Sequence, residues 1–174
     1  MKGLRKKGLL LLLLVMMIPL VACGNGKENG ESPNSGYEDN VEITLYYVNN
    51  EYIMSGSESL ETILPVKKMV AIGDDSIEEL VVSELQSDPD EEGLSTALSD
   101  IEILGVETID SLVYVNISSE NLSGSSLTES LLLQQLIYSL TEIPGIEAVQ
   151  VLVDGEVTES LMGHILIEEP LTRE

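Results

Sequence analysis

The chain holds one histidine and one cysteine among 174 residues, so its catalytic chemistry is limited by supply. Any imidazole acting as acid, base or metal ligand has to be His164, and any thiolate has to be Cys23. A zinc site of the usual His/Cys kind needs more such donors than these two. No Gly-x-Ser-x-Gly elbow is present to expose a nucleophilic serine. His164 follows Gly163 and reads as a turn or structural residue. The stretch Asp88-Pro89-Asp90-Glu91-Glu92-Gly93 spaces oxygen donors as a calcium loop does, with glycine at the sixth position. Its twelfth position is Ser99, where a calcium loop needs a bidentate glutamate, and Pro89 is awkward. Paired carboxylates for glycoside hydrolysis are recognised by their separation in space, which counting does not supply. Cell-wall binding or hydrolysis therefore stands as the alternative function. The residues themselves favour a protein that is not an enzyme, with no catalytic, cofactor-binding or metal site.

Cys23 suggests a chemistry of its own. Lys2, Arg5, Lys6 and Lys7 precede an apolar run from Leu9 to Val21 that only Pro19 interrupts, the pattern of a secretory signal. Leu20-Val21-Ala22-Cys23 resembles a bacterial lipobox, whose small residues admit the signal peptidase and whose cysteine thiol receives a diacylglyceryl group. A transmembrane anchor and a cleaved signal with an incidental thiol are the alternatives. An apolar run of about a dozen residues is short of the ~20 that span a bilayer. A lone cysteine cannot close an intramolecular disulfide, and a free thiol is a liability in an oxidising compartment. The expectation is a lipoprotein signal peptide over 1–22 and lipidation at Cys23. That places the protein at the cell membrane, anchored on the extracytoplasmic face. Two acyl chains hold a protein there, where one grips only marginally.

Once the signal leaves, Lys27, Lys67, Lys68 and Arg173 are the only cations against 31 acidic residues. A field of that sign repels nucleic acid and anionic head groups, so no nucleic-acid partner is expected. It keeps the protein soluble and would favour a basic protein partner or loosely held divalent cations. With no Trp and no Phe, the core has to come from Leu, Ile and Val. Tyr46, Tyr47, Tyr114 and Tyr138 fall within periodic segments, as residues at the edge of a core rather than a sugar-stacking platform.

These candidate groups need elements to position them. Gly24 to Asn40 is rich in Gly, Asn, Ser and Glu and reads as a flexible tether, 23–40 with the lipidated cysteine. Its root-mean-square reach is about 20–25 Å. Val41, Ile43, Leu45 and Tyr47 alternate with polar or less apolar neighbours, predicting a strand. Asn49 to Glu61 reads as a polar loop. A second strand follows Pro65, with Val66, Val70 and Ile72 on one face, Lys67 on the other, and Lys68 marking an edge. Asp75 and Glu78 have capping-box spacing ahead of a helical stripe of Ile77, Leu80, Val81 and Leu85 that ends near Asp88-Pro89. Ile101 to Ile109 and Leu112 to Ile117 read as a hairpin turning at Asp110-Ser111. Ser126 and Glu129 suggest a second capping box, opening a helix with Leu132, Leu133, Leu136, Ile137 and Leu140 on a broad apolar face. Gln134 and Gln135 read as solvent-facing or loop-contacting residues, or equally as part of a partner surface. Ala148 to Val153 is a covered strand ended by Asp154-Gly155. The order ββαββαβ gives an α/β (α+β) two-layer sandwich, a mixed or antiparallel sheet with two helices on one face.

The stretch from Leu127 to Ile146, followed by Val149 to Gly155, resembles the GerMN domain. Leu45-Tyr46-Tyr47, Leu104-Gly105-Val106, Val113 to Ser118, Gly163-His164 and Pro170-Leu171 extend the match. The resemblance spans about residues 41 to 173, and 41–174 is taken as a single domain; some relatives carry two. It implies a fold like the ring-building motifs of secretion rings and sporulation channels. It also implies a non-enzymatic assembly or docking module of the envelope, serving sporulation or spore germination. Its partners would be the membrane through Cys23, other envelope or sporulation proteins, or further copies of itself in a homo-oligomer. A C-terminal strand over Ile165 to Glu169, packed on a sheet edge, is a further expectation.

Overall fold

Apolar side chains at every second position build the first strand, β1 (Asn40–Asn49), whose Ile43, Leu45 and Tyr47 are buried. The structure is a computed structural model that describes residues 40–173. The signal segment, Cys23, the tether as far as Asp39, and Glu174 lie outside the described residues. After β1 come α1 (Asn50–Ser55), β2 (Ile63–Ala71), α2 (Ile77–Leu85) and β3 (Leu94–Ser95). The order continues with β4 (Ile103–Ile109), β5 (Leu112–Ile117), α3 (Ser126–Leu140) and β6 (Ala148–Val153).

The α+β class expected from the sequence is the class observed, and the hairpin, the two long helices and β6 lie where the patterns place them. Among the described residues, however, the strands form two sheets of three. One is antiparallel in the order β2-β1-β3; the other is β4-β5-β6, antiparallel across β4 and β5 and parallel across β5 and β6. The reason lies at the edge of β1 that faces away from β2. There the Tyr46 N–H donates to Ser139 Oγ at 2.8 Å, and Gln135 Nε2 donates to the Tyr46 carbonyl at 2.9 Å. Helix α3 thus occupies an edge that a strand of the second sheet would need.

Position along α3 follows from this placement. The helix packs against β1 and β6, so its burial runs almost all the way round and includes Leu132, Leu136 and Leu140 with no exposure. Each such leucine contributes about 1.5–3 kcal/mol of burial free energy. Helix α2 lies against β1, β4 and α3, with Val81, Val82 and Leu85 in the same core as Val113, Val115 and Val151.

Local signals fell one residue from their expected places. The α2 capping box is Ser76 with Glu79, because Ser76 takes the extended N-cap backbone and accepts from the Glu79 N–H. The helix stops at Leu85, short of Asp88-Pro89. In α3 the N-cap is Ser125, accepting from the Thr128 N–H, which frees Glu129 for another role. Asn49 caps α1 inside the stretch read as a loop. No strand forms over Ile165 to Glu169. Leu171 alone makes a bridge to Val149, with both backbone hydrogen bonds below 3 Å.

The sheet edges are finished unequally. On β2, Pro65 removes a donor, and Lys67 and Lys68 pair with Glu42 and Glu84. On β6 the outer edge meets Leu171 and Glu156. Among the described residues, the outer edge of β4 has no strand beside it.

Candidate functional site

His164 and the region around it are organised by a buried carboxylate. Glu129 has no solvent exposure, and its Oε1 accepts from the Leu161 and Met162 N–H groups at 3.0 Å each. Its Oε2 accepts from the His164 N–H at 2.9 Å. Three backbone donors therefore satisfy one acid, which fastens the C-terminal loop to the first turns of α3. The His164 ring lies 3.2 Å from the Gly124 carbonyl through Nε2. Gly124 faces the same knot so closely that an added Cβ would stand 2.8 Å from Met162 Sδ. Every polar group here holds chain to chain, in keeping with the structural reading of His164.

A second cluster joins β1, α3 and the C-terminal segment. The Arg173 guanidinium sits 4.7 Å from the Tyr138 ring centre and 5.2 Å from that of Tyr46. It donates to Glu142 Oε1 at 2.7 Å and to the Tyr138 carbonyl. The two tyrosine rings meet edge to face at 5.3 Å, and the Tyr46 hydroxyl donates to the same Glu142 oxygen at 3.0 Å. The Arg173 hydrogen bond holds the Glu142 carboxyl below the usual carboxylate value. Burial, with the Glu142 contact second, raises the Tyr46 hydroxyl. No signal in the sequence marked this cluster except that two of its members are tyrosines at core edges.

The acidic stretch Asp88 to Gly93 is used as a turn. Asp88 Oδ1 accepts from the Thr96 N–H at 3.0 Å, and the Thr96 hydroxyl donates to the Leu85 carbonyl. Among the described residues no three of the His, Asp and Glu side chains converge as metal ligands. Its charges act nearby on Tyr47, whose hydroxyl donates to the Glu84 carbonyl. Burial first, then Glu84 and the acids of that stretch, push this phenol up to about 12.

Gln134 and Gln135, paired in sequence, separate in the fold. Gln134 is half-buried, accepts from the Thr62 hydroxyl and lines a surface groove of about 320 Å³ with Ser130, Tyr138 and Ile165. Gln135 has no exposure: its Oε1 accepts from the Ala97 N–H at 2.7 Å while Nε2 serves Tyr46. Of its expected surroundings solvent is overturned and a loop contact is found, because β1 and the loop that follows β3 enclose that side of the helix. Cys23 lies outside the described residues.

The profile of the Germane family, described as sporulation and spore germination, matches residues 44–159. That stretch runs from within β1, through Glu129 in α3, to just short of the loop that Glu129 holds. The chain belongs to the Germane family. Solved structures of GerMN domains have the same fold. The tandem GerMN domains of the sporulation protein GerM from Bacillus subtilis align with a TM-score of 0.60 at 20% identity, over 78% of this chain and 46% of that one. The first GerMN domain of the same protein aligns at 0.56 and 16% identity, over 76% of this chain and 98% of that one. A candidate lipoprotein from Clostridium perfringens aligns at 0.52 and 22% identity, over 77% of this chain and 88% of that one. Among curated protein sequences none matches. No helix of the described residues is long and apolar enough to cross a membrane.

Proposed function

We propose that the protein is a lipid-anchored, non-enzymatic envelope protein whose GerMN domain binds or positions other proteins during sporulation or spore germination. The observation that carries this reading is a Germane-family domain over residues 44–159 following a lipobox-like Leu20-Val21-Ala22-Cys23. The candidate lipoprotein among its structural neighbours supports the anchor by analogy. The non-enzymatic reading draws on how the scarce reactive groups are spent. The one histidine and the fully buried Glu129 hold backbone in place. The acidic stretch caps a turn. Mechanistically, diacylglyceryl anchoring confines the domain to a layer whose depth the tether sets, which raises its effective concentration toward partners within reach.

Two measurements test the reading. Fractionation of cells carrying Cys23→Ala should move the protein from the membrane to the soluble extracytoplasmic fraction; retention in the membrane would rule out the lipid anchor. Cross-linking of vegetative and sporulating cells, followed by mass spectrometry, should recover envelope proteins selectively during sporulation. Equal recovery in both states, or recovery of wall fragments alone, would replace the docking role with a general envelope or wall-directed one.

A further inference from the structure

We propose that the outer edge of β4 is a docking site for an extended, lysine- or arginine-bearing segment of another protein, which adds to the second sheet as a further strand. This deepens the docking role proposed above and rests on it. Strand β4 ends the β4-β5-β6 sheet, and among the described residues β5 is its sole strand neighbour. Ile109 pairs with Leu112 and Glu107 with Tyr114 across a two-residue turn, a register that directs the N–H and C=O of Val106 and Thr108 away from β5. Neither residue has another hydrogen-bond partner among the described residues. Those groups form the ladder that an added strand requires.

The other edges are closed or guarded. The outer edge of β1 is occupied by Gln135, Ser139 and the two residues of β3. That of β6 meets Leu171 and Glu156, and β2 carries Pro65 with two lysines. Strand β4 has neither Pro nor Lys, and leaves Leu104 and Ile109 49% and 51% exposed. Its protection amounts to an irregularity between Ile103 and Gly105, which leaves Val106 to Ile109 regular.

Charge selects the occupant. Glu102, Glu107 and Asp110 lie on or beside β4, with Asp100 shortly before it. The cations of the described residues, Lys67, Lys68 and Arg173, are each committed to a glutamate elsewhere. A basic strand neutralises this edge. Two copies edge to edge would instead bring two identical sets of carboxylates together, which disfavours self-pairing.

The test uses the full lipidated chain in neutral detergent micelles. Its probe is the capped peptide Lys-Val-Lys-Val-Lys-Val; controls are its glutamate counterpart and a version N-methylated at alternate amides. The lysine peptide should bind and slow amide exchange in 103–109. The N-methylated and glutamate peptides should not, and Glu107→Lys should weaken binding about fivefold with circular dichroism unchanged. Absence of protection at millimolar lysine peptide would overturn the proposal. So would equal binding of the N-methylated form, which charge alone explains, or protection of 103–109 that grows with protein concentration in the absence of peptide, which assigns the edge to a second copy. Any of these alongside partner recovery from cross-linked cells would leave the docking role intact and remove only this interface.

Discussion

Replacing Gln135 by leucine preserves a buried side chain of similar size but leaves the Tyr46 carbonyl and the Ala97 N–H without partners. Each unpaired buried group costs about 1–3 kcal/mol, so Gln135→Leu should lose about 2–5 kcal/mol in urea unfolding. A loss below about 1 kcal/mol would mean that these two bonds hold little, against the account of α3 as the occupant of that edge. Gln134→Leu, at a half-buried position, should cost far less. The adjacent glutamines show what the sequence concealed at this scale. Helical period marks both as lying off the leucine stripe, and polarity leaves solvent, a loop contact or a partner surface equally open. A helix enclosed by two sheets also uses polar side chains inward, where they serve backbone groups that have lost their own partners. Glu129 was hidden in the same way, since its spacing from Ser126 imitates a cap while its carboxylate serves a loop more than thirty residues away.

Elements with a strong internal period were the most legible: β1, the β4-β5 hairpin, α3 and β6 all lie where alternation or the leucine stripe puts them. The short α1 and the two-residue β3 were not, because both depend on neighbours brought from elsewhere. The Asn50 N–H reaches the Gly93 carbonyl, and Asn50 Oδ1 accepts from the Ser95 hydroxyl. The C-terminal segment is likewise set by distant contacts, above all Arg173 on Tyr46, Tyr138 and Glu142. Arg173→Ala should cost about 1 kcal/mol at neutral pH, a modest figure because both charged side chains remain partly exposed. Glu142 has a folded value below its ordinary 4.5, so its stabilisation is present above 4.5 and is lost as pH falls through the lower folded value. The gap in Tm between wild type and Arg173→Ala should therefore narrow on going from pH 7 to pH 3. A gap that stays constant would assign the cluster to stacking rather than to the ion pair.

For the whole molecule, the imbalance of charge outweighs any single pair. Three ion pairs use all the cations of the described residues, and most of the acids face water alone. Compact folding of such a chain is opposed by self-repulsion, which salt screens over a Debye length that falls from about 30 Å at 0.01 M to about 8 Å at 0.15 M. Raising salt across that range should increase Tm by a few degrees in a circular dichroism melt. A fall would show that the three ion pairs matter more than the repulsion. The sign of this effect was legible from composition, whereas the division into two sheets required knowing where α3 lies. The antiparallel pairing of β1 with β2 carries one more consequence. It runs unbroken over nine positions, from Asn40 opposite Ala71 to Val48 opposite Ile63. A load applied at Asn40 along the axis of β1 would be shared by these ladder bonds instead of opening them one by one. Loaded in that direction, the first strand would shear from its partner only by breaking the whole ladder at once.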